Sequence, residues 1–186
     1  IDAHYFRGHH SILSGPAAGV VAMSRLCDGL NCGRMIGFDM GGTSTDVSRY
    51  GGNLELKYEN SFEGIRLSAP MMDINTVASG GGSICRIVSG RLTVGPDSAG
   101  SDPGPLCYGL KDELGNQKAL DMTITDVNLY LGKIVPQDFP FTLDLQAVED
   151  KLQELCDQLG RDEFHYSTHQ LAQGFLNVVD LKMAQA

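Results

Sequence analysis

The chain has 186 residues, 42% hydrophobic and 20% charged, which is enough to bury the core of one globular domain or part of a larger one and excludes collagenous, mucin-like and wholly disordered readings. Its formal charge is −9 and no Lys/Arg cluster breaks the acidic background, so neither a nucleic acid nor an anionic membrane surface is an expected partner. A bound polyanion must then be held mainly by backbone N–H groups. Glycine is in excess, with 23 residues or about 12% of the chain against a usual ~7%. Of these, 16 fall between Gly29 and Gly109 without a fixed period, which marks loop chemistry.

No apolar run approaches the ~20 residues of a membrane span, and no basic-then-apolar leader opens the chain, so a cytoplasmic location is expected. Cys27, Cys32, Cys85, Cys107 and Cys156 are odd in number and form no CxxC pair, which fits reduced structural thiols. The chain starts at Ile1 and stops at Ala186 inside a helical pattern, and is read as a fragment.

In chain order, His4, His9 and His10 lack a carboxylate or thiol at ligand spacing and read as a solvated lead-in. Ser14-Gly15-Pro16 opens a helix, and its N-terminal N–H groups could face an anion. Met35 to Phe38, then Asp39-Met40-Gly41-Gly42-Thr43-Ser44-Thr45, then Asp46 to Tyr50 read as strand, glycine turn and strand. Asn53 to Tyr58 alternates and is expected to complete an antiparallel three-stranded meander. Further short strands are expected at Ile65–Leu67, Ile84–Val88 and Leu92–Val94, broken by Ser79-Gly80-Gly81-Gly82-Ser83. Between Gly95 and Gly109 the glycines and prolines leave no room for regular structure. Three helices follow: one capped at Thr125-Asp126 and closed by Gly132, one capped by Asp144 and stopped at Gly160, and one starting at Ser167. His165 and His169 are four apart without a third ligand and read as a solvated pair.

The chemistry is expected between Ser14 and Gly109. Two adjacent glycines at a hairpin tip let backbone N–H groups converge on a phosphate, because a Cβ would block the approach. Thr43, Ser44 and Thr45 add hydroxyls at the same tip, and Asp39 and Asp46 frame it. Carboxylates repel phosphate but can hold a hydrated Mg²⁺ that bridges to it. No Gly-Lys-Ser/Thr follows the glycines and the acid precedes them, so this is neither a Walker A loop nor a dinucleotide fingerprint. There is also no Gly-x-Ser-x-Gly elbow, and Cys107 has no evident histidine partner.

The loop resembles the phosphate hairpin of the actin, sugar-kinase and heat-shock-chaperone ATPase superfamily. Together with Ser14-Gly15-Pro16-Ala17-Ala18-Gly19-Val20, Asp73-Ile74-Asn75-Thr76-Val77-Ala78-Ser79-Gly80-Gly81-Gly82-Ser83, the run from Val94 to Gly109 and Thr125 to Gly132, it resembles the hydantoinase A/5-oxoprolinase family. The resemblance implies a partial RNase H-like, actin-type (ASKHA) α/β domain, with antiparallel hairpins and C-terminal helices. A β-rich nucleotide-binding part would occupy 14–109 and a mainly helical part 110–186, both in one hydantoinase A-type domain. It also implies ATP and Mg²⁺ as cofactors and the opening of a cyclic amide after phosphorylation of its carbonyl oxygen. The asparagine at Asn75, where many relatives carry histidine, is more like the eukaryotic-type 5-oxoprolinases, which convert 5-oxo-L-proline, ATP and water to L-glutamate, ADP and phosphate. Ser79 and Ser101 depart from frequent alanines.

On this resemblance Gly41, Gly42, Thr43, Ser44 and Thr45 bind the phosphates, Gly80, Gly81 and Gly82 contact nucleotide, and Asp39 and Asp46 are catalytic and hold Mg²⁺ through water. Asp73, Asn75, Asp102 and Asp126 are candidates for substrate or nucleotide contact. A preceding ATPase half and a following hydrolase part are expected outside the chain, in a homo-oligomer when complete. An ATP-dependent hydantoinase, a ketone carboxylase subunit, a sugar-kinase-type transferase and an orphan nucleotide-binding or assembly module are the alternatives.

Overall fold

The computed structural model describes residues 3–12, 14–62, 64–161 and 166–186. His165 and the side chains of His9 and His10 lie outside what is described. Among the described residues no group of three or more His, Cys, Asp or Glu could hold a metal ion, and no helix is long and apolar enough to cross a membrane. The chain divides into two compact units, Ile1–Asp39 with Asp46–Thr76, and Met40–Thr45 with Val77–Ala186.

The first unit is built on a 17-residue helix, α1 (Ser14–Leu30), and a sheet of β1 (Met35–Met40), β2 (Thr45–Tyr50) and β5 (Ile74–Val77) in the order β1-β2-β5. Val20, Met23 and Cys27 recur at helical spacing on α1 and form a small core with Tyr50, lined by Met35, Met72 and Ile74. Gly37 on β1 permits this packing: a Cβ there would meet Ser48 Oγ at 2.6 Å and Met23 Sδ at 2.9 Å. The Tyr50 hydroxyl donates to both Asp28 oxygens at 2.8 and 3.0 Å.

The expected meander is corrected here. Leu54 makes only an isolated antiparallel bridge to Tyr50, and β3 (Leu56–Phe62) pairs instead with β4 (Ile65–Met72). Their register closes at Phe62 opposite Ile65, with Gly64 at φ +83° in the two-residue connection. That tight turn supplies β3 with a partner a few residues away, and the place beside β2 passes to β5.

In the second unit a hairpin of β6 (Ser83–Val88) and β7 (Arg91–Ser98) packs with α2 (Ile124–Tyr130), α3 (Leu145–Arg161) and α4 (Thr168–Ala184). Val94, Met122, Ile124, Val127, Val148, Leu152, Leu171 and Phe175 are fully buried in one core. Contrary to expectation, β7 runs on through Gly95 and Pro96, pairing Ser98 with Ser83. A register shift between Ser83 and Cys85 absorbs the extra residues, and Gly95 supplies the φ of +65° that the path needs.

Helix caps divide the same way. Asp144 caps α3 as expected, accepting from the Ala147 N–H at 3.0 Å, and Ser167 caps α4 in a reciprocal box with Gln170. For α2 the cap is Thr123, not Thr125-Asp126, because Thr123 and Asp126 have the three-residue spacing of a capping box. Asp126 is fully buried and accepts from Thr123 N–H (2.7 Å), Thr123 Oγ1 (2.8 Å), Leu106 N–H (3.1 Å) and Cys107 N–H (2.8 Å). Burial first, and then this carboxylate, push the Cys85 and Cys107 thiols up, which disfavours either as a nucleophile.

Replacing Asp126 by alanine leaves three buried N–H groups unpaired and is expected to lower stability by about 3 kcal/mol or more. The urea midpoint of the complete protein's transition reads this directly, and an unchanged midpoint contradicts it.

Candidate functional site

The tip that joins β1 to β2, Gly41 to Ser44, is fixed by backbone. Gly41 N–H donates to the Ser44 carbonyl at 2.9 Å, closing the turn. The Gly41 and Gly42 carbonyls accept from the N–H groups of Gly81 (3.0 Å) and Gly82 (2.6 Å). Two peptide planes of the tip are thereby oriented with their oxygens toward the glycine loop. Among the described residues, no acceptor is found for the N–H groups of Gly42, Thr43 and Ser44. Gly41, Gly42 and Thr43 are exposed and Ser44 half-buried, so a donor-rich edge remains accessible.

The glycine loop needs glycine for contact. A Cβ on Gly80 would lie 2.6 Å from the Gly41 oxygen and 2.7 Å from both the Gly42 carbonyl carbon and oxygen; one on Gly82 would lie 2.9 Å from the Gly42 oxygen. The loop's own polar groups are occupied too. Gly80 N–H donates to Ser83 Oγ (2.8 Å), and the Gly81 carbonyl accepts from Thr125 N–H (2.8 Å) and Oγ1 (2.9 Å). The Gly82 carbonyl accepts from Ala99 N–H at 2.8 Å. Thr45 is fully buried and donates its hydroxyl to the Ser79 carbonyl at 2.6 Å, which leaves Thr43 and Ser44 as the outward hydroxyls of the tip.

In the first unit, Asp39 and Asp46 line one cavity of about 230 Å³ with Pro16, Gly19, Val20 and Met23 of α1. Asp39 is exposed, while Asp46 accepts from Thr76 Oγ1 at 2.6 Å, which holds its carboxylate in one orientation. Two carboxylates on one cavity, one exposed and one held by a hydrogen bond, fit a hydrated magnesium ion, which takes one or two carboxylates and keeps several waters.

Asp73 pairs with Lys57 at 2.5 Å, and Asn75 is exposed on β5. Asp102 pairs with Lys118 at 2.5 Å, and Asp126 is enclosed by its four donors. Sequence reading passed over Thr125 and Ser83 as supports of the loop, and over Ser98, whose Oγ lies 3.4 Å from Thr43 Oγ1. The signal available was their hydroxyl chemistry, but only the fold brings them to the glycines.

The fold is the expected partial α/β, actin-type ATPase architecture with antiparallel hairpins and C-terminal helices. An acetone carboxylase solved without nucleotide matches it with a TM-score of 0.78 and 28% identity, over 94% of this chain and 24% of that one. The chain belongs to the hydantoinase/oxoprolinase family, whose profile matches residues 1–186. It is 44% identical over 196 residues to 5-oxoprolinase of Saccharomyces cerevisiae, covering 100% of this chain and 15% of the yeast protein. It is 40% identical over 196 residues to 5-oxoprolinase 1 of Arabidopsis thaliana, covering 97% of this chain and 15% of the plant protein. The chain thus spans about a seventh of the length of these relatives.

Two substitutions test the loop. Gly80→Ala forces a methyl group into backbone and is expected to cost about 1–3 kcal/mol, measured as a lower unfolding midpoint. Ser79→Ala works in the opposite direction: the buried Ser79 hydroxyl has no hydrogen-bond partner among the described residues, so its removal should raise stability by up to about 1 kcal/mol in the same measurement.

Proposed function

We propose that this chain supplies one phosphate-binding hairpin of the ATP site of a cyclic-amide hydrolase, with 5-oxo-L-proline as substrate and L-glutamate, ADP and phosphate as products. The observation that carries the reading is the one-sided tip, with two glycine carbonyls bound inward and the Gly42, Thr43 and Ser44 N–H groups left as donors. Donors held in place stabilise charge on a transferring phosphoryl group without reorganising. The yeast and plant relatives named 5-oxoprolinase support the substrate.

In this scheme the β- and γ-phosphates lie against Gly41, Gly42, Thr43 and Ser44. Gly80, Gly81, Gly82 and Thr45 hold the tip in shape, since their N–H or hydroxyl groups already have acceptors. Asp39 and Asp46 would hold magnesium through water, and the ion would supply charge neutralisation. Asp39, exposed near the end of β1, accepts from the ring N–H and in this way orients the amide with its carbonyl oxygen toward the phosphorus. Asp126 and the ion-paired Asp73 and Asp102 support the fold. A nucleotide-binding part over 14–109 and a helical part over 110–186 complete the assignment, with a preceding ATPase half and a hydrolase part elsewhere in the full protein.

A ketone carboxylase is the second reading, favoured by the match to acetone carboxylase. ATP hydrolysis by the complete protein separates them. Stimulation by 5-oxoproline supports the first reading, and stimulation only by a ketone with bicarbonate supports the second. Asp39→Ala should abolish ATP-coupled turnover, and retained turnover removes Asp39 from the mechanism. Gly42→Ala meets no atom within 4 Å, so it should leave the fold intact while raising KM for ATP about tenfold through a crowded phosphate contact.

A further inference from the structure

The C-terminus of α1 ends on two thiols. Cys32 N–H donates to the Cys27 carbonyl at 3.2 Å and Asn31 N–H to the Asp28 carbonyl at 3.1 Å, with Asn31 at φ +51°. These two bonds around a left-handed residue make a Schellman cap, with Cys27 at the third-last helical position and Cys32 second after the cap. The cap folds those two positions against each other, and they usually carry an apolar pair. Here they bring the sulfurs to 2.9 Å, and Cys32 Sγ also reaches the Cys27 carbonyl at 3.4 Å. A disulfide needs about 2.05 Å between sulfurs, so the atoms must close by less than about 1 Å.

We propose that Cys27 and Cys32 are a redox-active dithiol that closes to an intramolecular disulfide by exchange with a small-molecule disulfide of the glutathione type. Cys32 is exposed and Cys27 is buried, which fixes the order of steps. The Cys32 thiolate attacks one sulfur of the small disulfide and releases one small thiol. Cys27 then gives up its proton to solvent and attacks Cys32 Sγ, and the second small thiol leaves. The two protein sulfurs are oxidised by two electrons, and the small disulfide is reduced to two thiols.

The neighbouring groups fit this order. The hydrogen bond with Cys32, then burial and the Asp28 charge, push the Cys27 thiol up to about 11, so Cys27 stays protonated while Cys32 is reduced. Conversion of Cys32 to the mixed disulfide removes its negative charge from beside Cys27 and eases loss of the Cys27 proton. Cys85, Cys107 and Cys156 are buried with their thiols pushed up by desolvation, and serve as internal controls that stay reduced.

The test is thiol mapping of the complete protein after exposure to oxidised glutathione. Cleavage after Arg25 and Arg34 releases Leu26–Arg34, which carries Cys27 and Cys32 and no other cysteine. The expected product is this peptide lighter by two hydrogens and resistant to alkylation. Cys27→Ser should instead accumulate a mixed disulfide on Cys32, and Cys32→Ser should leave Cys27 reduced. Asn31→Gly, which keeps the left-handed cap, should close at the native rate, and Asn31→Val should close at least tenfold more slowly. Recovery of the native peptide with both thiols alkylated, or with glutathione persisting on Cys32, overturns the proposal.

Discussion

The glycine hairpin between β1 and β2 depends on backbone meeting backbone. Gly81 and Gly82 donate to the carbonyls of Gly41 and Gly42, and a Cβ on Gly80 or Gly82 would press to within 3.0 Å of those same peptides. From the glycine loop the chain of bonds continues through the Gly81 carbonyl to Thr125 on α2, and through the α2 capping box to Asp126. Asp126 then holds the Leu106 and Cys107 amides inside the core. An exposed turn is in this way tied, peptide by peptide, to the best-packed part of its unit. That is a sounder basis for positioning a ligand than the turn's own few residues could provide.

Much of this was legible in the residues, for identifiable reasons. The glycine hairpin, the helix caps at Asp144 and Ser167, and the apolar spacing of α3 and α4 are local signals. Each is fixed by chemistry within a few positions. The pairing of β3 was missed because alternation shows a strand's face and not its partner; the turn at Gly64 decided that. The path of β7 through Gly95 and Pro96 was missed because breakers were read as ends, whereas a bulge lets a strand continue past them.

The candidate residues show the same limit. Sequence groups Gly80, Gly81 and Gly82 with the hairpin as ligand contacts, and the structure adds that Gly81 and Gly82 bond the hairpin's own carbonyls. Composition cannot distinguish a glycine that makes room for a ligand from one that makes room for another peptide. Similarly, the cysteines read as reduced structural thiols, because a spacing of five carries no familiar motif. Only the left-handed cap at Asn31 turns that spacing into a contact.

One further consequence follows from the orientation of the hairpin's peptide groups. With the carbonyls of Gly41 and Gly42 turned toward the glycine loop, the accessible edge offers donors. It does so without a single lysine or arginine among the residues from Asp39 to Asp46. In a chain of formal charge −9 a basic side chain at this place would find acidic neighbours ready to neutralise it. A peptide dipole cannot be titrated away or swung onto another partner, so these donors stay where the main chain holds them.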